Sequence, residues 1–165
     1  MLENCQTLQQ HWGGVSEIID RWLEERREML VKYCELSEIK GFDGSNDDHG
    51  TMLQRFCAVM VAYVSVGHFE VFEQLAGEGK AFSDKDGLRQ GAELMEKIQP
   101  STEALLDFND KYLATDDLET LGTDLSVIGE TLAQRFESED KMIEVLHNAH
   151  LVQLMPTQES QPDSA

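Results

Sequence analysis

From Val15 to Ile39 apolar residues return every three or four positions, and nowhere do apolar and polar residues alternate over a useful length. That period is the strongest constraint on the fold, because a sequence patterned for helices cannot keep one face of a strand turned toward a core. Gly13 and Gly14 punctuate the first segment, and the helical pattern then runs from about Val15 to Ile39. KGFDGSNDDHG, Lys40 to Gly50, is a loop by composition. A second helix is expected from near Thr51 until Gly77 and Gly79 stop it. A third covers Asp84 to Leu113, where Pro100 at the head of PSTEALLDF predicts two shorter helices or one kinked one. The fourth runs from about Asp116 to His150, and PTQESQPDSA reads as a disordered tail over 156–165. Helices of about 25 residues are roughly 38 Å long, and short links between them favour antiparallel neighbours. The expected class is all-α: an antiparallel up-down four-helix bundle with a Pro-interrupted third helix, one domain over residues 1–155.

At about 100° per residue each helix sorts into faces. Val15, Ile19, Trp22, Leu23, Leu30 and Tyr33 line the first, with Arg26 in the middle of their stripe. Phe56, Met60, Tyr63, Val64, Val71 and Leu75 line the second, with His68 near the edge and Gly67 inward, where it permits close helix approach. Leu118, Leu121, Leu125, Leu132, Phe136 and Ile143 line the fourth, with Glu139 among them and Asp140 and His147 at the flank. A buried unpaired charge costs several kcal/mol, so these groups must find one another or reach water. The expected pairing is Arg26 with Glu139 or Asp140, with His68 close enough to join. Such a set reads as an internal polar network that fixes helix register, ahead of a functional cavity.

A metal or ligand site is the competing reading, built from His68, Glu139, Asp140 and His147. Glu144 and His147 have the Glu-x-x-His spacing of carboxylate-bridged bundles, but a di-iron site needs a second such motif and the chain has none. Asp43, Ser45 and Asp47 echo the start of a calcium loop, yet Asp48 replaces the required Gly and Gln54 the closing Glu. Cys5, Cys34 and Cys57 lack the spacing of a zinc site, and Cys34 and Cys57 read as core filler. No nucleophile–base constellation follows from spacing, so neither a catalytic residue nor a cofactor is expected.

Charge narrows the partners. Thirty-two acidic residues against thirteen basic ones give a net charge of -19, which repels phosphate backbones and draws basic partners. The N-terminus lacks the charged and apolar regions of a signal peptide, and no apolar run of membrane-spanning length stands out, so a cytoplasmic monomer is expected. The outer face of the second helix carries Ala58, Val59, Ala62, Ser65, Val66 and Phe69, with Glu73 its one charge. Either another part of the chain covers this face or a partner does. The first helix differs, since Arg21, Glu24, Glu25, Glu28 and Lys32 crowd its outside.

Three blocks in order, IDRWLEERREMLVKYCEL, FCAVMVAYVSVGHFEVFEQL and LSVIGETLAQRFESEDKMI, resemble the Rsd/AlgQ family of anti-sigma regulators of bacterial transcription. They span about a third of the chain. The resemblance implies a helical bundle that binds the basic C-terminal, promoter-reading region of the primary sigma factor and so favours alternative sigma factors. It carries a partner-binding role to Asp20 and Arg21 beside Trp22 and Leu23, and to Ser65, Phe69 and Glu73 beside Gly67 and His68; Val66 lies on the same face. Family members can carry Asp where this chain has Ala62, in VAY, so a carboxylate contact there is lost and reliance shifts to Phe69 and Glu73. An acidic adaptor for another signalling protein is the third reading.

Overall fold

The computed structural model describes residues 2–155, and the tail expected to be disordered, 156–165, lies outside them. Among the described residues the chain is all helical, without a strand, and forms four continuous rods. The first is α1, Leu2–Ser37; the second joins α2, Asp47–Val66, to α3, Phe72–Ala81, through a wide π turn at Gly67–Val71. The third is α4, Lys85–Leu113. The fourth runs from α5, Leu121–Ile143, through a second π turn at Glu144–Asn148 into α6, Ala149–Leu154.

Local chemistry moves several expected boundaries. Gly13 and Gly14 do not break α1, because Trp12 beside them is anchored: its Nε1 donates to the His147 carbonyl at 3.1 Å. α2 starts at Asp47, since the Asn46 side chain accepts from the Asp48 amide and two aspartates occupy the positive first turn. Gly77 and Gly79 lie inside α3 and do not stop it. Gly79 serves close approach instead, as a Cβ there would lie 2.7 Å from a Leu88 methyl. The stop comes at Ser83, held at φ 53°, and at Asp84, which caps α4 by accepting from the Gly87 amide at 2.8 Å. Helix continues without a break through Pro100, an exposed position. α5 begins at Leu121 instead of Asp116, because Thr115 and Asp117 side chains accept from the amides two residues on and hold a turn.

The rods bury one continuous apolar cluster. From α1 it takes Val15, Ile19, Trp22, Met29 and Leu36, while Leu23, Leu30 and Tyr33 are half-buried. Cys57 is core, its thiol pushed up to about 11 by burial. Cys34 is exposed, contrary to expectation, because α1's buried line passes through Tyr33 and Leu36 on either side of it. The rods meet in a consistent register. Trp12, Arg26 and Tyr33 of α1 touch His147, Asp140 and Leu125 respectively, so numbers rise along one rod as they fall along the other. Ser101 and Lys111 of α4 meet Arg135 and Asp124 in the same sense. The second rod is long and apolar enough, by length and composition alone, to cross a membrane, although no such run stood out in the sequence; 44% of the apolar window is buried.

Candidate functional site

The second rod divides two environments. Inside, Trp22 lies flat on Tyr63, ring centroids 4.8 Å apart, and its Nε1 donates to the Tyr63 carbonyl at 3.1 Å. The same ring fills the space beside Gly67, where a Cβ would stand 2.8 Å from it. That contact is the close approach glycine permits.

The Tyr63 hydroxyl reaches the charged centre. It donates to Glu139 Oε1 at 2.6 Å and accepts from Arg26 Nε at 3.0 Å. Arg26 also donates to Asp140 at 2.6 Å and Glu139 at 3.4 Å, with its guanidinium 4.5 Å from the Phe136 ring. Glu139 takes a further donor on its other oxygen, Arg135 Nε at 3.2 Å, and Arg135 Nη1 donates to Ser101 and Thr102 of α4. Burial pushes the Glu139 carboxyl up, against Arg135, the Tyr63 hydroxyl and Arg26, which pull it down. Burial beside that carboxylate also pushes the Tyr63 hydroxyl well above its ordinary value, so it stays a donor. The structure thus brings Arg26, Glu139 and Asp140 together.

His68 does not join them. Gly67 takes the inward position at the π turn, and His68, the next residue round the widened turn, emerges exposed and meets only the edge of Phe69 among aromatic rings. Tyr63 occupies the level expected for it. Arg135 was missed: the sequence stripe gave its place to Phe136, which is half-buried, whereas Arg135 is 1% exposed. Its spacing of four from Glu139 was the available signal.

The metal alternative loses its set as well. His68 is outside, Glu139 is held by two guanidiniums, and His147 turns to Glu78 with Nδ1 2.7 Å from Oε1. Glu144, the other half of the Glu-x-x-His spacing, is exposed and pairs with Lys141. Among the described residues no group of three His, Cys, Asp or Glu side chains is placed to hold a metal ion. Glu78 instead sits between His147 and His150, a second buried polar cluster that sequence reasoning did not find.

Outside, the rod carries the expected surface. Ala58, Ala62 and Glu73 are exposed, Ser65 half-buried, and Val59 and Val66 pack partly on the core. Phe69 projects at 74% exposure, the most exposed large apolar side chain described. Asp20 and Arg21 are exposed on α1, and Arg21 reaches across to Glu70 at 3.6 Å. Beside them Glu25 keeps one carboxylate oxygen out of water without a partner, and burial and Glu70 push its carboxyl up. The expected contact residues of both helices therefore lie on neighbouring outer surfaces, with carboxylates around a projecting ring.

Comparison with known proteins adds a second line. Residues 1–147 match the family model described as regulator of RNA polymerase sigma(70) subunit, Rsd/AlgQ. The chain is 33% identical over 153 residues to a regulator of sigma D from Pectobacterium carotovorum subsp. carotovorum, covering 90% of this chain and 99% of that one. It is 33% identical over 150 residues to a regulator of sigma D from Yersinia pseudotuberculosis serotype O:1b, covering 87% and 88%. A regulator of sigma D from Salmonella paratyphi B is 32% identical over 158 residues, covering 90% and 93%.

Proposed function

The chain belongs to the Rsd/AlgQ family of regulators of the RNA polymerase sigma(70) subunit, and from that premise we propose that it is an anti-sigma regulator acting by stoichiometric binding. Its target is the basic C-terminal, promoter-reading region of the primary sigma factor. Occluding that region lets alternative sigma factors compete for polymerase. Phe69 is the anchor, because a large ring held 74% in water on a rigid rod exposes apolar area that a partner can bury. Around it Ala62, Ser65, Val66 and Glu73 of the second rod, with Asp20 and Arg21 of α1, complete the contact. Ala62 contributes no carboxylate, which leaves Glu73 and the Arg21–Glu70 pair to meet basic side chains.

The register of contacts supports an antiparallel up-down bundle forming one domain over residues 1–155. The net charge of -19 supports a basic protein partner over direct nucleic-acid binding. On this reading the chain acts as a monomer without a cofactor, in the cytoplasm where polymerase works.

The single observation that carries this reading is Phe69 projecting from a family-matched rod of a strongly acidic chain. Titration calorimetry of the full chain against the isolated sigma C-terminal region tests it. Binding that weakens with added salt is expected, and no binding at low salt overturns it. Phe69→Ala should weaken binding by more than about 1 kcal/mol while leaving the unfolding midpoint unchanged, and unchanged affinity moves the site elsewhere.

A further inference from the structure

We propose that Glu78, Asp84, His147 and His150 form a proton-dependent clasp that fastens the end of the fourth rod to the turn between the second and third. Three contacts define it. His147 Nδ1 lies 2.7 Å from Glu78 Oε1, His150 Nδ1 2.9 Å from Glu78 Oε2, and His150 Nε2 2.8 Å from Asp84 Oδ2. Each is a hydrogen-bond distance, so each needs one proton between nitrogen and oxygen. A carboxylate brings none and a neutral imidazole brings one. Two neutral rings therefore supply two protons for three contacts.

The third proton belongs to His150. Both its nitrogens face carboxylate oxygens, and imidazole is a stronger base than a carboxylate. Asp84 does not compete for it, because the Gly87 amide, and then His150, hold its carboxyl below the ordinary value. The closed clasp thus holds a buried imidazolium, stacked flat on Phe82 with centroids 4.4 Å apart. The charged and titratable groups around it are Glu78 from α3, Asp84 from the turn, Asp86 from the first turn of α4, His147 and Glu144 from its own rod, and His11 from α1. α1 also contributes the neutral ring of Trp12, stacked on His147 at 4.4 Å.

Loss of the third proton turns one N–H···O bond into two opposed lone pairs, with the His150 ring sealed from water and the Asp84 side chain 24% exposed. What then remains to hold the end is the Trp12 contact with His147 and α6, six residues long and too short to persist without packing. The turn it fastens stores strain, with Ser83 at φ 53°. Because the closed state binds a proton that the open state does not need, closure is favoured at lower pH and lost as pH rises. On the acid side the Asp84 arm lasts until pH falls through its depressed value.

The test is ring-nitrogen NMR on the full chain with amide hydrogen exchange, between about pH 5 and pH 9. At neutral pH both His150 nitrogens should carry protons. As the second proton leaves, amides of 144–154 and 82–87 should lose protection together, about tenfold per pH unit, while those of α5 keep theirs. A His150 with one ring proton at neutral pH, and clasp amides still protected, overturns the proposal. Asp84→Asn gives a second arm: its oxygen can still cap α4 while its N–H donates to a neutral His150, so the pH dependence should vanish. Should that variant fail to fold, His150→Gln should lose the same dependence. Retention of the wild-type pH dependence by either variant also overturns the clasp.

Discussion

Among the described residues two carboxylates lie buried between the rods, each between two nitrogenous side chains. Glu139, at mid-height, sits between Arg26 and Arg135; Glu78, near one end, sits between His147 and His150. Both are essentially sealed from water, at 1% and 0% exposure. What differs is the partner chemistry. A guanidinium keeps its proton at any pH a protein survives, whereas imidazole gives one up near neutrality. The middle of the molecule is therefore held through guanidinium charges, and its end through groups that, in the clasp proposed above, exchange a proton with the solution.

That contrast predicts unequal losses. Glu139→Ala leaves the sealed Arg135 guanidinium without its carboxylate and Arg26 with only the exposed Asp140, and should destabilise the fold by roughly 3–5 kcal/mol in urea unfolding. Glu78→Ala takes the carboxylate from His147 and one of two from His150, which keeps Asp84, so about 1–3 kcal/mol is expected. Equal losses from the two substitutions would break the comparison. Asp84→Ala removes both a helix cap and one arm of the clasp, for about 1 kcal/mol at neutral pH. Its folded value is depressed, so this contribution is present above the ordinary carboxylate range and vanishes as pH falls through the depressed value. Thermal unfolding of variant and parent should accordingly converge in acid. A constant gap would mean that Asp84 acts through packing rather than through its charge.

The all-helical class was legible because its signal, a 3.6-residue period between breaks, is local. Half of the middle network was legible for the same reason: Arg26 and Glu139 interrupt apolar stripes, and an interruption must be satisfied. Arg135 escaped because a stripe drawn through Phe136 looks complete without it. The clasp escaped for a different reason. Glu78 stands between Gly77 and Gly79, which read as a stop signal, and the actual stop depends on the backbone angle of Ser83. His68 was misplaced because its address depends on a π turn, and a widened turn leaves no mark in a pattern read at constant pitch. Phe69 was placed outward correctly, since its position opposite the core stripe survives that local change.

The smallest effect is the sharpest test of whether burial, and not distance, decides what holds the middle. Arg26 makes its shortest charged contact with Asp140, at 2.6 Å, yet Asp140 is 59% exposed; the longer contact, 3.4 Å, is to the sealed Glu139. An exposed carboxylate gains little from an ion pair, because water would solvate it nearly as well and salt screens what remains. Without Asp140, Arg26 still has the Tyr63 hydroxyl, Glu139 and the face of Phe136. Asp140→Ala should therefore cost less than about 1 kcal/mol, and less again in high salt, against several for Glu139→Ala. If unfolding shows Asp140 to matter as much as Glu78, the register of the first and fourth rods rests on a surface pair, and the fixed-charge middle is no more secure than the titrating end.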